Sequence, residues 1–380
     1  MNPVQTPPDL RALTTLRFLA AAWVVLYTAW PHLAVDVAPT AVTRGYLGVE
    51  VFFVLSGFIL SHVYLAAAGE GRFSYKGFLW ARVARVYPLH LLTLAGMVVL
   101  GLGAGAVGVA VDASLTDWRS LPAQLTLTHA WGLAPSSAFN HPSWSISAEW
   151  FAYLAFPAFA FVAWRLRARP LLAAGLAAAL ALGLYAAFER LAGFQLTEAT
   201  FRWGALRIVP CFALGCALYL IHRRAPVRHG GWLALAGGLG ALASASLGLW
   251  DPIVVLCGGA LILGLAGLDN ARAGVLASPF GVWLGEISYA VYMVCAPVLL
   301  VGVNLAARFT DAPDKRLHII VWLAVVTLIP LVAAAAYHLV ERPARQALRR
   351  FADRNGSGQP GSATQADSPE RVLQPQETIV

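Results

Sequence analysis

The sequence predicts an all-α, polytopic membrane protein with about ten transmembrane helices around a polar cavity. Two compositional observations carry that prediction. The 380-residue chain is 59% hydrophobic and only 12% charged, about half the charge of an ordinary soluble domain. Its mean hydropathy is +0.66, more apolar sequence than one or two soluble cores could hide. The third observation is periodic: apolar windows of about 20 residues, long enough to cross a bilayer, recur along the chain.

Taken in order, the windows are 12–31, 46–68, 86–109, 145–164, 171–187, 205–222, 231–249, 252–268, 280–306 and 318–340. The first carries Arg17 and lacks a small-residue cleavage site, so it reads as an uncleaved span rather than a signal peptide. Gly- and Ala-rich spans such as 171–188 and 231–249 suit close helix packing. The longest outer loop, Val111 to Pro142, holds Asp112, Asp117, His129 and Asn140 and is expected to shape a polar mouth. Residues 8–350 read as one membrane domain. Residues 351–380, rich in Gly, Ser, Gln and Pro, read as a disordered cytoplasmic tail, with no second soluble domain.

The net charge is +8. The basic residues cluster in alternate loops, around Arg72 and Lys76, Arg165 to Arg169, Arg223 to Arg228, and Arg342 to Arg350. That is the positive-inside pattern, not a nucleic-acid footprint, and it places both termini in the cytoplasm. The four cysteines lie within apolar runs without ligand spacing, so no metal site and no disulfide framework is expected.

Ionisable groups at membrane depth are costly and point to function or to helix pairing. They are Arg17, Glu50, His62, His90, Glu149, Arg207 and Glu286. Eleven residues separate Arg17 from Thr28, three helical turns plus about 20°, so the two share a stripe ~16 Å apart. His32 follows Pro31 at the expected outer mouth. In the run Asn140 to Glu149, Ser143, Ser145 and Ser147 are candidate N-caps, which puts Glu149 in the first turns of a helix. There it is either a dipole-stabilised structural carboxylate or a base for a hydroxyl proton. Arg82 and Arg85, three apart with Tyr87 following, read as basic anchors or as a clamp on phosphates.

Seven blocks carry a family resemblance: Leu16 to Ala21, Gly48 to Phe58, Arg82 to Pro88, Trp144 to Glu149, Arg207 to Gly215, Ile287 to Tyr292, and Glu341 to Pro343. In order and in spacing they resemble the acyltransferase 3 family of integral-membrane O-acyltransferases. The resemblance implies transfer of an acyl group, taken as acetyl, from cytoplasmic acyl-CoA to a hydroxyl of a carbohydrate or glycolipid. Acyl-CoA is then a co-substrate, with no bound cofactor. It implies a cell (inner) membrane location, Glu149 and Arg17 in catalysis, and Arg82, Arg85 and Tyr87 at the donor. Glu50, Asn140, Trp144, Ser145, Ser147, Arg207, Ser288, Tyr289 and Cys295 become acceptor or cavity residues. Arg17, Arg207 and Tyr289 are the candidates for stabilising an oxyanion.

Two positions depart from the family pattern. Thr28 stands where the family has its histidine, and Cys295 where relatives often have another. Threonine has no useful acid–base group near neutrality. Glu149 alone as base with Thr28 positioning the acceptor, His32 bent back, or Cys295 as an acyl carrier are the ways left to supply the chemistry. A transporter or flippase for a polyprenyl-linked sugar, or a non-catalytic relative, would use the same buried charges without a donor site.

Overall fold

A computed structural model describes residues 9–106, 116–224 and 227–354. Among these, regular structure is helical, apart from one isolated bridge between Leu33 and Leu317. The long elements are α1 (Arg11–Ala29), α3 (Gly48–Gly69), α4 (Tyr75–Ala106), α8 (Pro170–Ala192), α9 (Gly204–Arg224), α12 (Pro279–Phe309) and α13 (Ile319–Ala336). A bent pair, α6 (Ser143–Leu154) and α7 (Phe156–Leu166), turns by 58°. The bend has a local cause: Pro157 sits in the first turn of α7 and cannot donate to the preceding turn. The Tyr75 hydroxyl donates to the nearby Leu154 carbonyl at 2.9 Å.

Seven helices are long and apolar enough to cross a membrane, eight with the bent pair. All ten windows read from the sequence fall on helices, but two are shorter than a span. The 231–249 and 252–268 windows form α10 (Gly230–Ser246, 17 residues) and α11 (Asp251–Ala266, 16 residues). At 1.5 Å per residue each is about 25 Å long, short of a ~30 Å hydrocarbon core. α10 stops at Ser246 ahead of the turn at Gly248, with φ of 66°, and α11 stops at Ala266 before Gly267. Conversely, α4 starts eleven residues before its window, at Tyr75. Hydropathy misses that stretch because Arg82 and Arg85 lie in it, although both face the protein interior.

Two further short helices, α2 (Thr40–Thr43) and α5 (Leu121–Leu125), sit in connections. Residues 116–142 of the long outer loop fold into turns that bury Gln124, His129 and Asn140. Asp112 lies outside the described residues. The last helix, α14 (Arg342–Arg354), runs past the boundary read at 350, and residues 355–380 lie outside the described residues.

Glycines let the site-bearing helices touch backbone to backbone. A Cβ on Gly57 of α3 would lie 2.1 Å from the Phe212 carbonyl of α9, and one on Gly215 2.0 Å from that of Val54. α1 and α3 run antiparallel, with Gly48 against Ala20 and Gly45 against Trp23.

Candidate active site

Five helices, α1, α3, α4, α6 and α12, enclose a cavity of about 860 Å³, counting its open mouth. On α3 its wall is the stripe Val49, Phe52, Ser56, Ile59 and Leu60, residues that helical spacing brings to one face. Ser56 is the one hydroxyl on that stripe, and it donates to Glu149 Oε1 of α6 at 2.7 Å. Tyr153, one turn beyond Glu149, lines the cavity beside it. Arg17 enters from α1, Arg82 and Arg85 from α4, and Tyr289 and Tyr292 from α12. Apart from Ser145 of α6, the rest of the wall is apolar.

The guanidiniums are not equivalent. Arg85 is committed: its Nη1 donates to Oε1 of the fully buried Glu341 at 2.6 Å. Arg82 has no carboxylate within 4 Å among the described residues. It reaches the Tyr64 hydroxyl at 3.5 Å and lies 5.8–5.9 Å from the rings of Tyr64, Tyr153 and Phe78. Its Nε is buried without a partner. Arg17 makes no hydrogen bond or ion pair with any described residue, and its charged neighbours are Arg85, Glu149 and Glu341. Unpaired cations are costly in such surroundings. The two arginines expected from spacing to act together therefore differ, Arg85 being paired with Glu341 and Arg82 having no carboxylate partner. Tyr87 stands apart from the cavity wall, its hydroxyl on the Leu125 carbonyl at 2.5 Å.

Several residues singled out in the sequence hold helices together instead of lining the cavity. Glu50 and Arg207 form a bidentate pair at 2.5 and 2.9 Å, each 1% exposed. Arg207 also donates to the Ala199 carbonyl at 2.8 Å and lies 4.5 Å above the Trp144 ring. Ser147 accepts from the Ala130 N–H at 2.9 Å and donates to the Leu127 carbonyl at 2.7 Å, pinning the loop to α6. Ser288 bonds its own helix at Gly285. Asn140 Nδ2 donates to the Met293 carbonyl at 3.0 Å. Cys295 is a buried free thiol one turn from Tyr292. Two do line the cavity: Ser145 bonds the Tyr292 hydroxyl at 2.9 Å, and Tyr289 bonds the Val86 carbonyl at 2.6 Å.

Thr28 and His32 are not brought to Glu149. The Thr28 hydroxyl donates to the Val24 carbonyl of its own helix at 2.9 Å. Because Gly48 packs on Ala20, α1 has passed the Val49 end of the cavity roughly two turns before Thr28. Pro31 ends α1, and His32 closes a short 3-10 turn whose carbonyl accepts from the Leu317 N–H at 2.8 Å. Neither residue lines the cavity.

Sequence reasoning missed Ser56 as the partner of Glu149, Tyr153 as a cavity residue, and Glu341 as the partner of Arg85. The only advance signal was Ser56 itself, a lone polar residue on an otherwise apolar face. Outside the spans, His129 stacks on His90 with ring centroids 6.2 Å apart and bonds Ser143 at 3.0 Å. Burial, then the neighbouring His90, pushes the His129 pKa down to about 3, so the ring is neutral. Among the described residues no group of three or more His, Cys, Asp or Glu side chains is placed to hold a metal ion.

A family model described as an acyltransferase domain matches residues 10–340. Acyltransferase MdmB of Streptomyces mycarofaciens is 31% identical over 344 residues, covering 81% of this chain and 83% of that protein. Protein 2 in picA locus of Rhizobium radiobacter is 35% identical over 161 residues, 38% of this chain and 80% of that one. A phosphatidylglycerol–prolipoprotein diacylglyceryl transferase of Xanthomonas oryzae pv. oryzae is 28% identical over 222 residues, 49% of this chain and 73% of that one. No solved structure matches the chain.

Proposed function

Because the chain belongs to the acyltransferase 3 family, we propose that it moves an acyl group from cytoplasmic acyl-CoA to a hydroxyl of a carbohydrate or glycolipid, with Glu149 as base. The observation that carries this reading is the content of one cavity. A hydrogen-bonded carboxylate and two guanidiniums without carboxylate partners share one largely apolar enclosure.

The donor's phosphates sit at Arg82, near the turn between α3 and α4, and the arm carrying the thioester runs inward toward Glu149. The basic loop at Arg72 and Lys76 adjoins that end, which supports a cytoplasmic donor side and both termini in the cytoplasm. The membrane is then the cell (inner) membrane, and the acceptor enters from the opposite side. Acyl-CoA acts as a co-substrate, with no resident cofactor.

Glu149 takes the acceptor's O–H proton as the oxygen attacks the thioester carbonyl, and Ser56 holds the carboxylate in place. A C–O bond forms and the C–S bond breaks. The CoA thiolate leaves and is protonated by Glu149, which returns to its starting state. The oxyanion that develops needs a donor. Arg207 is committed to Glu50 and Tyr289 to Val86, which leaves Arg17 for that role. Thr28 and His32 take no part in the step.

The test is CoA release from acetyl-, propionyl- and succinyl-CoA by the purified protein with mixed glycan acceptors. Turnover should fall by about 10²- to 10⁴-fold in Glu149→Gln, and Thr28→His should not be required for activity. Turnover unchanged in Glu149→Gln removes the base assignment. Absence of both turnover and CoA binding in the parent removes the donor reading and favours transport.

A further inference from the structure

The donor path proposed above places the thioester carbon beside Glu149, so the acyl group extends past Ser56 toward Val49. The chamber it enters is described by four residues. On α3, Phe52 lies one turn beyond Ser56 and Val49 two, a wall about 10 Å deep from Ser56. Ile146 of α6 and Tyr292 of α12 close the other sides, with the Phe52 and Tyr292 rings 6.3 Å apart. The two hydroxyls there, Ser145 and Tyr292, are bonded to each other. Arg17 leans the other way: helical side chains tilt toward their helix's N-terminus, and its charged neighbours are Arg85, Glu149 and Glu341.

An acetyl group has one methyl beyond its carbonyl and spans only a small part of the ~10 Å of wall between Ser56 and Val49. A sugar there would find few partners for its hydroxyls, at a cost for each one left unpaired. We infer that the acyl group this site takes is a saturated chain several carbons long, lodged against Phe52, Ile146 and Tyr292, with Phe52 setting its length. The inference rests on the acyl-CoA reading of the cavity and goes beyond it by naming the class of acyl group.

The experiment measures binding of CoA and of acetyl-, butyryl-, hexanoyl- and octanoyl-CoA to the protein in lipid nanodiscs, with empty nanodiscs subtracted. Each buried methylene is worth a factor of about four, so hexanoyl-CoA should bind at least about tenfold more tightly than acetyl-CoA. Phe52→Trp should shrink that ratio toward one, whereas Phe52→Ala should move the preference to octanoyl-CoA. A folding defect cannot produce shifts of opposite sign, so the pair of variants separates selectivity from damage. CoA binding with no dependence on chain length overturns the inference and leaves the donor reading standing; it assigns the apolar chamber to the acceptor. Chain-length preference that neither Phe52 variant alters overturns the role of Phe52. No binding of CoA or any thioester overturns the donor reading, and the inference falls with it.

Discussion

Replacing Glu50 by Gln should separate helix stapling from chemistry in this protein. Glu50 and Arg207 are each 1% exposed, and the carboxylate accepts two guanidinium hydrogen bonds at 2.5 and 2.9 Å. In Glu50→Gln the guanidinium stays buried. Its remaining attachments are the Ala199 carbonyl at 2.8 Å and the Trp144 ring at 4.5 Å. Removing one partner of a buried pair costs about 3–5 kcal/mol, because the other charge is left uncompensated. The cation–π contact, worth about 2 kcal/mol when desolvated, persists, so the lower part of that range is expected. Arg207→Met should cost a similar amount. The double variant Glu50→Gln/Arg207→Met should recover much of the loss, since neither charge is then stranded. Unfolding free energies from denaturant titration of the four proteins close the cycle. Specific activity per folded molecule should stay near that of the parent, because neither residue lines the cavity. Single substitutions costing under about 1 kcal/mol, or losses that simply add, refute the staple. Full stability with lost turnover would move Glu50 into the chemistry.

Five further outcomes are expected. Ser56→Ala should lower turnover about tenfold through loss of the hydrogen bond to Glu149, with Ser56→Thr restoring part of it, read as kcat against donor KM. Arg82→Gln should weaken CoA binding about tenfold or more, whereas Arg17→Gln should lower turnover about 10²-fold with CoA binding little changed. Arg85→Gln should instead lower the melting temperature, because it strands the buried Glu341. Gly57→Val should prevent stable folding, seen as loss of a monodisperse peak on size exclusion, since even a Cβ there lies 2.1 Å from the Phe212 carbonyl. Finally, His129 titrates near 3 when folded, against 6.5 as its ordinary value. Its contribution is therefore complete above about pH 6.5 and is lost as pH falls from there toward 3. His129→Gln should flatten that part of the stability profile.

The fold class was legible because apolar windows report burial in lipid directly. The count of full spans was less so: windows rich in Gly and Ala score as spans, yet α10 and α11 run only 17 and 16 residues, ending ahead of Gly248 and Gly267. Arg17, Arg82 and Glu149 could be nominated because a charge in an apolar helix is conspicuous. What the charges do to one another could not be read, since the partners are far apart in the chain. Glu341 is 256 residues from Arg85 and Arg207 is 157 from Glu50. Only folding shows that one arginine of a neighbouring pair is occupied and the other open. The reach from Arg17 to Thr28 was a correct helix calculation. It lacked the offset between α1 and α3 that sets where the cavity ends.

The link between Arg85 and Glu341 also bears on how the protein is made. Glu341 lies at the junction of the last long helix with α14, and its carboxylate holds a guanidinium that α4 delivers much earlier in synthesis. Until that last segment is inserted, α4 carries the Arg85 guanidinium without its counterion, a costly arrangement at membrane depth. Closure of this side of the cavity therefore waits on the end of the chain.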